Sequence, residues 1–276
     1  LLSSFLVIIV LLVSFHFASF LFLKNKINDE IIRYNSLNMR HTTEGYEKHF
    51  QMLKSRLLAL YQKNDLVINL SVLRQLPESG GYSLMKDLQT EIVSLISNQA
   101  LGLENVIAYF GHGQFVVEKE GSSSAKDMFS KFYASPDYSP EFWEQRLRQN
   151  DFFQVYPASA FSENYMLTRK PIGTLIPIVV KSQLFDDMYF LALLDAKALF
   201  QTLHYWPDSL FCVLNEAGEP IFSSRALPEA IDLSLMRPGT DHVRHNDYYY
   251  FYKRGQETGF TYVTMVPIRN ISSQLF

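Results

Sequence analysis

The chain has 276 residues, with 25 Lys and Arg against 28 Asp and Glu, for a net charge of −3. That balance leaves no basic footprint for nucleic acid, and the single cysteine, Cys212, excludes an intrachain disulfide. With 22 Phe and 16 Tyr the chain can fill a sizeable core, enough for one large or two small domains.

Residues 1–23 contain no charged side chain, and Lys24 and Lys26 follow directly. At about 1.5 Å per residue, such a run crosses a hydrocarbon core of roughly 30 Å. A cleaved signal peptide would carry a shorter apolar stretch, about 7 to 15 residues, ending at a small-x-small site. The only small pair near the end of this run, Ala18-Ser19, is flanked by Phe17 and Phe20. An uncleaved transmembrane helix is therefore expected over 1–23, with the remaining residues on one side of the membrane.

Residues 24–64 are predicted to form a stalk helix. Apolar residues recur at Ile27, Ile31, Tyr34 and Leu37, then at Tyr46, Phe50, Leu53, Leu57 and Leu60, the steps of a helical stripe. Gly45 is a candidate bend. Because the stripe extends toward the membrane beyond the reach of a globular core, a homodimer contact through this helix is expected.

A larger module is predicted over 65–206. Asn64-Asp65 ends the stalk, a short helix or turn covers 67–76, and a helix covers 83–100. Strands follow at 105–110 and 114–119, joined by the Gly111-His112-Gly113 turn. A polar loop at 121–124, a short helix to Tyr133 and a helix over 141–149 come next. Residues 151–165 read as irregular and aromatic. Strands are predicted at 166–172, 174–180 and 189–194, then a helix over 196–204. A smaller module covers 207–267: strands at 210–214 and 221–224 around the turn Asn215–Gly218, a linker over 226–238, and strands at 242–253 and 261–267. Residues 268–276 begin a helix.

The two modules repeat one plan. Strand, Gly turn and strand occur at 105–119 and again at 210–224. A hairpin running straight into a helix occurs at 174–194 and again at 247–267. The expected result is a five- or six-stranded antiparallel sheet with helices on one face. Enzyme motifs are absent: there is no Gly-x-Ser-x-Gly, no His-Glu-x-x-His and no P-loop. His242 and His245 fall on opposite faces of a strand, so no metal site is expected. No cofactor and no catalytic residue are assigned, and Cys212, in an apolar run, reads as core.

An anchor, a long helix, a larger α/β module and a smaller one resemble, in that order, the double Cache sensor regions, PAS-like tandem domains outside the bacterial cytoplasm. The hairpin from Phe211 to Ser224 resembles the opening of the membrane-proximal module, and Gly259 to Ile268 resembles its closing strand. The resemblance implies an α+β fold of tandem PAS-like modules with antiparallel sheets, and it would lead the helix begun at 268–276 toward a second transmembrane segment. The texture is most similar to the sensor regions of membrane-bound AraC-type transcriptional regulators, whose DNA-binding part would lie outside this chain. Histidine kinases, chemoreceptors and a non-sensing adaptor ectodomain are the alternatives.

The resemblance also implies a small-molecule pocket, or a site for an extracellular partner, in the distal module beneath a covering segment at about 129–165. The residues assigned to it are Tyr109, Trp143, Arg146, Tyr156, Arg169 and Asp195. Amino-acid-binding members of the family carry an Arg-x-Trp-Tyr pattern with a later Asp. Here Trp143 precedes Arg146 and the pattern is absent, which argues against amino acids; an aromatic-lined cleft suits a sugar.

Overall fold

The computed structural model describes residues 2–62, 81–111, 114–149, 151–165, 168–183, 185–200, 208–227, 231–237 and 239–273. The expected stalk break at 64–65, the helix at 67–76 and the centre of the Gly111–Gly113 turn lie outside the described residues.

The first element, α1, runs from Leu2 to Tyr61 without a break, through Gly45. Its 60 residues make a rod of about 90 Å. The N-terminal part is long and apolar enough to cross a membrane, and its most apolar window is not buried at all. Farther along, the stripe Tyr46, Phe50, Leu53, Leu57, Leu60 is buried as the steps of three and four require.

The chain divides into two compact units. One comprises Tyr46–Leu203 and Pro220–Phe222; the other comprises Leu1–Gly45, His204–Glu219 and Ser223–Phe276.

In the larger unit, β1 (Leu103–Phe110), β2 (Phe115–Glu118), β3 (Gly121–Ser124), β4 (Phe153–Val155), β5 (Ser159–Tyr165), β6 (Thr168–Lys181) and β7 (Met188–Asp195) form one antiparallel sheet. The order is β3-β2-β1-β7-β6-β4, with β5 also on β6. The two central strands carry continuous apolar runs, Val106–Phe110 in β1 and Met188–Leu194 in β7, because both faces are covered. On one face lie α1 and α2 (Gly81–Ile96): Tyr61 packs edge-on against Phe190 at 4.8 Å, and its hydroxyl donates to the Val180 carbonyl at 2.9 Å. On the other face, Ile107, Tyr109, Val116, Val179, Tyr189 and Leu191 meet the covering segment.

Three expectations are corrected here. The loop at 121–124 is an edge strand, paired with β2 from Phe115↔Ser124 to Glu118↔Gly121. The irregular stretch 151–165 holds β4 and β5, both recruited by β6. The two strands expected on either side of Gly173 are one 14-residue strand, and a register shift opposite Phe161 and Ser162 absorbs the irregularity. The sheet is accordingly larger than expected.

The smaller unit contains β8 (Leu210–Leu214), β9 (Pro220–Ser223), β10 (His242–His245), β11 (Tyr248–Arg254) and β12 (Thr261–Pro267), in the order β10-β11-β12-β8-β9. The predicted turn is built as its sequence asks: Asn215 Oδ1 accepts from the amides of Ala217 and Glu219, and Gly218 takes a φ of +85°. The single strand expected over 242–253 is a hairpin, turned at Asn246 with φ +50°. The segment from Ile231 to Met236 covers Leu210, Cys212, Tyr250 and Met265, so Cys212 is core as expected. Burial pushes its thiol up to about 12.

Leu53 is completely buried, as is Leu57. Leu53→Ala is expected to destabilise the larger unit by about 2–5 kcal/mol, measured as a lowered apparent melting temperature of the chain in lipid nanodiscs. Tyr34→Ala, on an exposed position of the same helix, is expected to change it little.

Candidate functional site

The segment over the sheet is held by its own caps. Ser124 Oγ accepts from the Asp127 amide at 3.0 Å, opening a short turn that continues as a π-helix over Met128–Phe132. π-Turns are rare and cluster at functional sites. Ser139 caps α3 (Pro140–Arg146), with Pro140 in its first turn. Starting the helix there places Trp143 and Arg146, three residues apart, on one inward face. Both are buried, Trp143 at 0% and Arg146 at 1% exposure. Tyr138 Oη donates to the Pro157 carbonyl, and Tyr189 Oη donates to the Trp143 carbonyl at 2.9 Å, tying the cover to the sheet.

Aromatic rings fill the space between. Tyr109 and Tyr189, paired across β1 and β7, stack at 4.9 Å with their planes 8° apart. Phe129 stacks on Tyr109 and leans on Trp143 at 5.4 Å, and Tyr156 meets Trp143 edge-on at 5.8 Å. Burial raises the Tyr109 phenol to about 12, with a smaller push from the Glu144 carboxylate. Burial also raises Tyr156 to about 12, although the Arg146 cation pulls it down.

Arg146 Nη2 donates to the Asp151 carbonyl at 2.6 Å. Its Nε and Nη1, together with Trp143 Nε1 and Tyr156 Oη, are buried without a hydrogen-bond partner among the described residues. An unanswered polar group in an apolar interior costs about 1–3 kcal/mol, more when charged. Lys181 lies close by, its Nζ donating to the carbonyls of Leu147 and Gln149 at 2.6 and 3.0 Å. Burial and then the Arg146 charge lower its pKa. Two cations therefore hold the end of α3 and its following loop, and one of them keeps unused donors.

On the far side of Met128 and Tyr133, which also belong to the aromatic cluster, a cleft of about 530 Å³ opens between the β2-β3 edge, the π-helix and β6. It is polar. Lys119 pairs with Glu104 at 3.0 Å, Tyr133 Oη donates to Glu104, and Glu118 is buried against Asn105 Nδ2 at 2.9 Å.

Of the six residues assigned from sequence, the structure brings four together: Tyr109, Trp143, Arg146 and Tyr156. It places the other two elsewhere. Arg169 is exposed at the start of β6, its Nε donating to Ser162 Oγ at 3.0 Å. Asp195 ends β7 and caps α4 (Ala196–Phe200), accepting from the amides of Lys197 and Ala198. An Asp directly before Ala-Lys-Ala is itself a helix-start signal. Tyr189, Phe129, Lys181 and the Glu104–Lys119 pair were missed. Tyr189 was readable only through its pairing with Tyr109.

No family model matches the sequence, and no curated protein matches it. Solved structures do match its shape. The ligand-binding domain of the Pseudomonas fluorescens chemoreceptor CtaA, in complex with L-isoleucine, superposes with a TM-score of 0.53 at 11% identity, over 91% of this chain and 98% of that one. The extracellular domain of vpHK1S-Z8, described as a histidine kinase, gives 0.54 at 12%, over 89% and 98%. The ligand-binding domain of Campylobacter jejuni chemoreceptor Tlp3 with L-valine gives 0.51 at 11%, over 90% and 97%. The fold, a long N-terminal helix followed by antiparallel sheets, resembles that of Cache sensor domains. In Cache terms, the aromatic cluster and the polar cleft lie in the larger module, on the covered face of its sheet.

Because burial raises the phenols of Tyr109, Tyr133 and Tyr156 to about 12, the folded chain retains protons that the unfolded chain gives up near 10. Stability should thus be complete below pH 10 and fall as pH rises from about 10 to 12. Difference absorbance of tyrosinate is expected to show a late-titrating class, and Tyr156→Phe to remove one member of it.

Proposed function

We propose that the chain is the extracytoplasmic sensor region of a membrane-bound signalling protein, anchored by the apolar part of α1. Its larger module would take a small carboxylate-bearing ligand at Arg146, Trp143, Tyr156 and Tyr109. The observation that carries this reading is the group of unanswered donors on Arg146, Trp143 and Tyr156. Three of the four atoms are nitrogens that can only donate. A ligand rich in acceptors satisfies them, and an anion also offsets the buried guanidinium charge. This favours an organic acid, with or without an amino group, over the sugar expected from aromatic content alone.

The solved neighbours support a sensing role by shape, and they come from chemoreceptors and a histidine kinase. An AraC-type output rests on sequence texture alone and stands beside those two. Pairing of two copies along α1 fits the exposure of Tyr34 and Leu37 there.

A thermal-shift screen of the chain in nanodiscs, with small carboxylates against neutral sugars, tests the ligand class. A carboxylate is expected to raise the melting temperature, and Arg146→Met to weaken its binding at least tenfold, since charge-assisted hydrogen bonds contribute about 1.5–3 kcal/mol each. Without ligand, Arg146→Met should be as stable as the parent or more so, because a buried charge with unused donors has gone. If no acid shifts the chain and Arg146→Met unfolds it, Arg146 is a framework residue and the reading fails.

The pairing is tested separately by cysteine cross-linking at Leu37 in membranes, in a Cys212→Ala background. A dimer band at Leu37 and none at the buried Met39 is the expected outcome.

A further inference from the structure

The smaller unit carries a cleft of its own, about 700 Å³, between α1 and the loop 239–242 with the adjoining β11. On the helix side, Asp29, Arg33, Ser36 and Arg40 follow one stripe in steps of four, three and four. On the other side stand Asp241, His242 and Lys253.

The charges are not evenly answered. Arg33 is engaged by Glu30 at 2.7 Å. Asp241 is matched by His242 at 2.8 Å; burial pushes its carboxyl up, but the His242 hydrogen bond helps to hold it below the usual range. Arg40 and Lys253, in contrast, have no ion-pair or hydrogen-bond partner among the described residues. The one uncommitted carboxylate, Asp29, lies eleven residues from Arg40, about 16 Å along the helix. The cleft therefore holds two cations without a charged partner among the described residues, and its uncommitted carboxylate lies toward the apolar run.

We infer that this cleft is an anion site for a phosphate ester, held by Arg40 and Lys253. Two uncommitted cations, with Arg33 on the same stripe, suit a dianion better than a single carboxylate. Height selects the source. Arg40 lies seventeen residues beyond Leu23, about 26 Å along the helix, whereas the headgroup layer adds only about 5–8 Å to each side of the hydrocarbon core. The backbone phosphate of an ordinary lipid stays below Arg40, so a soluble phosphate ester, or a lipid with its charge on an extended headgroup, reaches it. This site is separate from Arg146 and does not depend on the reading given for it.

Glycerol phosphate and inorganic phosphate are titrated into the whole chain in nanodiscs of phosphatidylcholine, and the chain is reconstituted in parallel with phosphatidylglycerol or phosphatidylinositol phosphate. Saturable binding of glycerol phosphate in the neutral nanodiscs is expected, weakening as ionic strength rises and at least tenfold weaker in Arg40→Gln/Lys253→Gln. Both side chains are exposed, so the double variant keeps its melting temperature, and Arg146→Met binds glycerol phosphate unchanged. A response only to the phosphoinositide, lost in the double variant, assigns the same site to an extended headgroup. Absence of binding in every arm, or binding unaffected by the double variant, overturns the inference.

Discussion

A buried guanidinium, with one nitrogen committed and two unanswered, is the constraint around which the larger module is arranged. Removing a cation from water is costly unless its hydrogens find acceptors. The cover makes a partial provision, the Asp151 carbonyl. Ser139 sets the start of α3, and with it the inward direction of both Trp143 and Arg146. Tyr189 then fixes the height of the helix through the Trp143 carbonyl. Each of these contacts is local and satisfied; the donors they present inward are not.

The same region holds the irregular backbone of the cover. A π-turn at Met128–Phe132 stands between the polar cleft and the aromatic cluster, and Met128 and Tyr133 border both. A ligand shifts an equilibrium only by its differential affinity for two states. Under the proposed function, a ligand that fills the unanswered donors would supply such a difference by stabilising whichever arrangement presents them.

Much of the fold was legible. The strands β1, β7, β8 and β12 are short apolar runs bounded by polar turns, and their order was repeated in the second module. The strands that escaped notice have little preference of their own: β3 is Gly-Ser-Ser-Ser, and β5 ends in Ser-Glu-Asn-Tyr. They are strands because β2 and β6 offer free edges, a tertiary cause that local reading does not contain. The hairpin at 242–254 had a signal that was passed over, Asn246-Asp247 inside an aromatic run. At the site, aromatic content and the charged candidates were readable, and four of six residues converge. Whether a polar side chain is answered depends on three-dimensional partners, so Arg169 and Asp195 looked equivalent to Arg146 until Ser162 and the α4 amides were seen to occupy them.

The unbroken course of α1 through Gly45 has a consequence of phase. A helix turns about 100° per residue. The buried stripe at Phe50, Leu53 and Leu57 therefore keeps one phase against the sheet it covers. Inserting a single alanine after Leu53 would turn Leu57 away from Phe50 by roughly a quarter of a revolution, while seven would restore the phase to within about 20°. Length along this rod is a quantity that can be varied independently of every side chain described above.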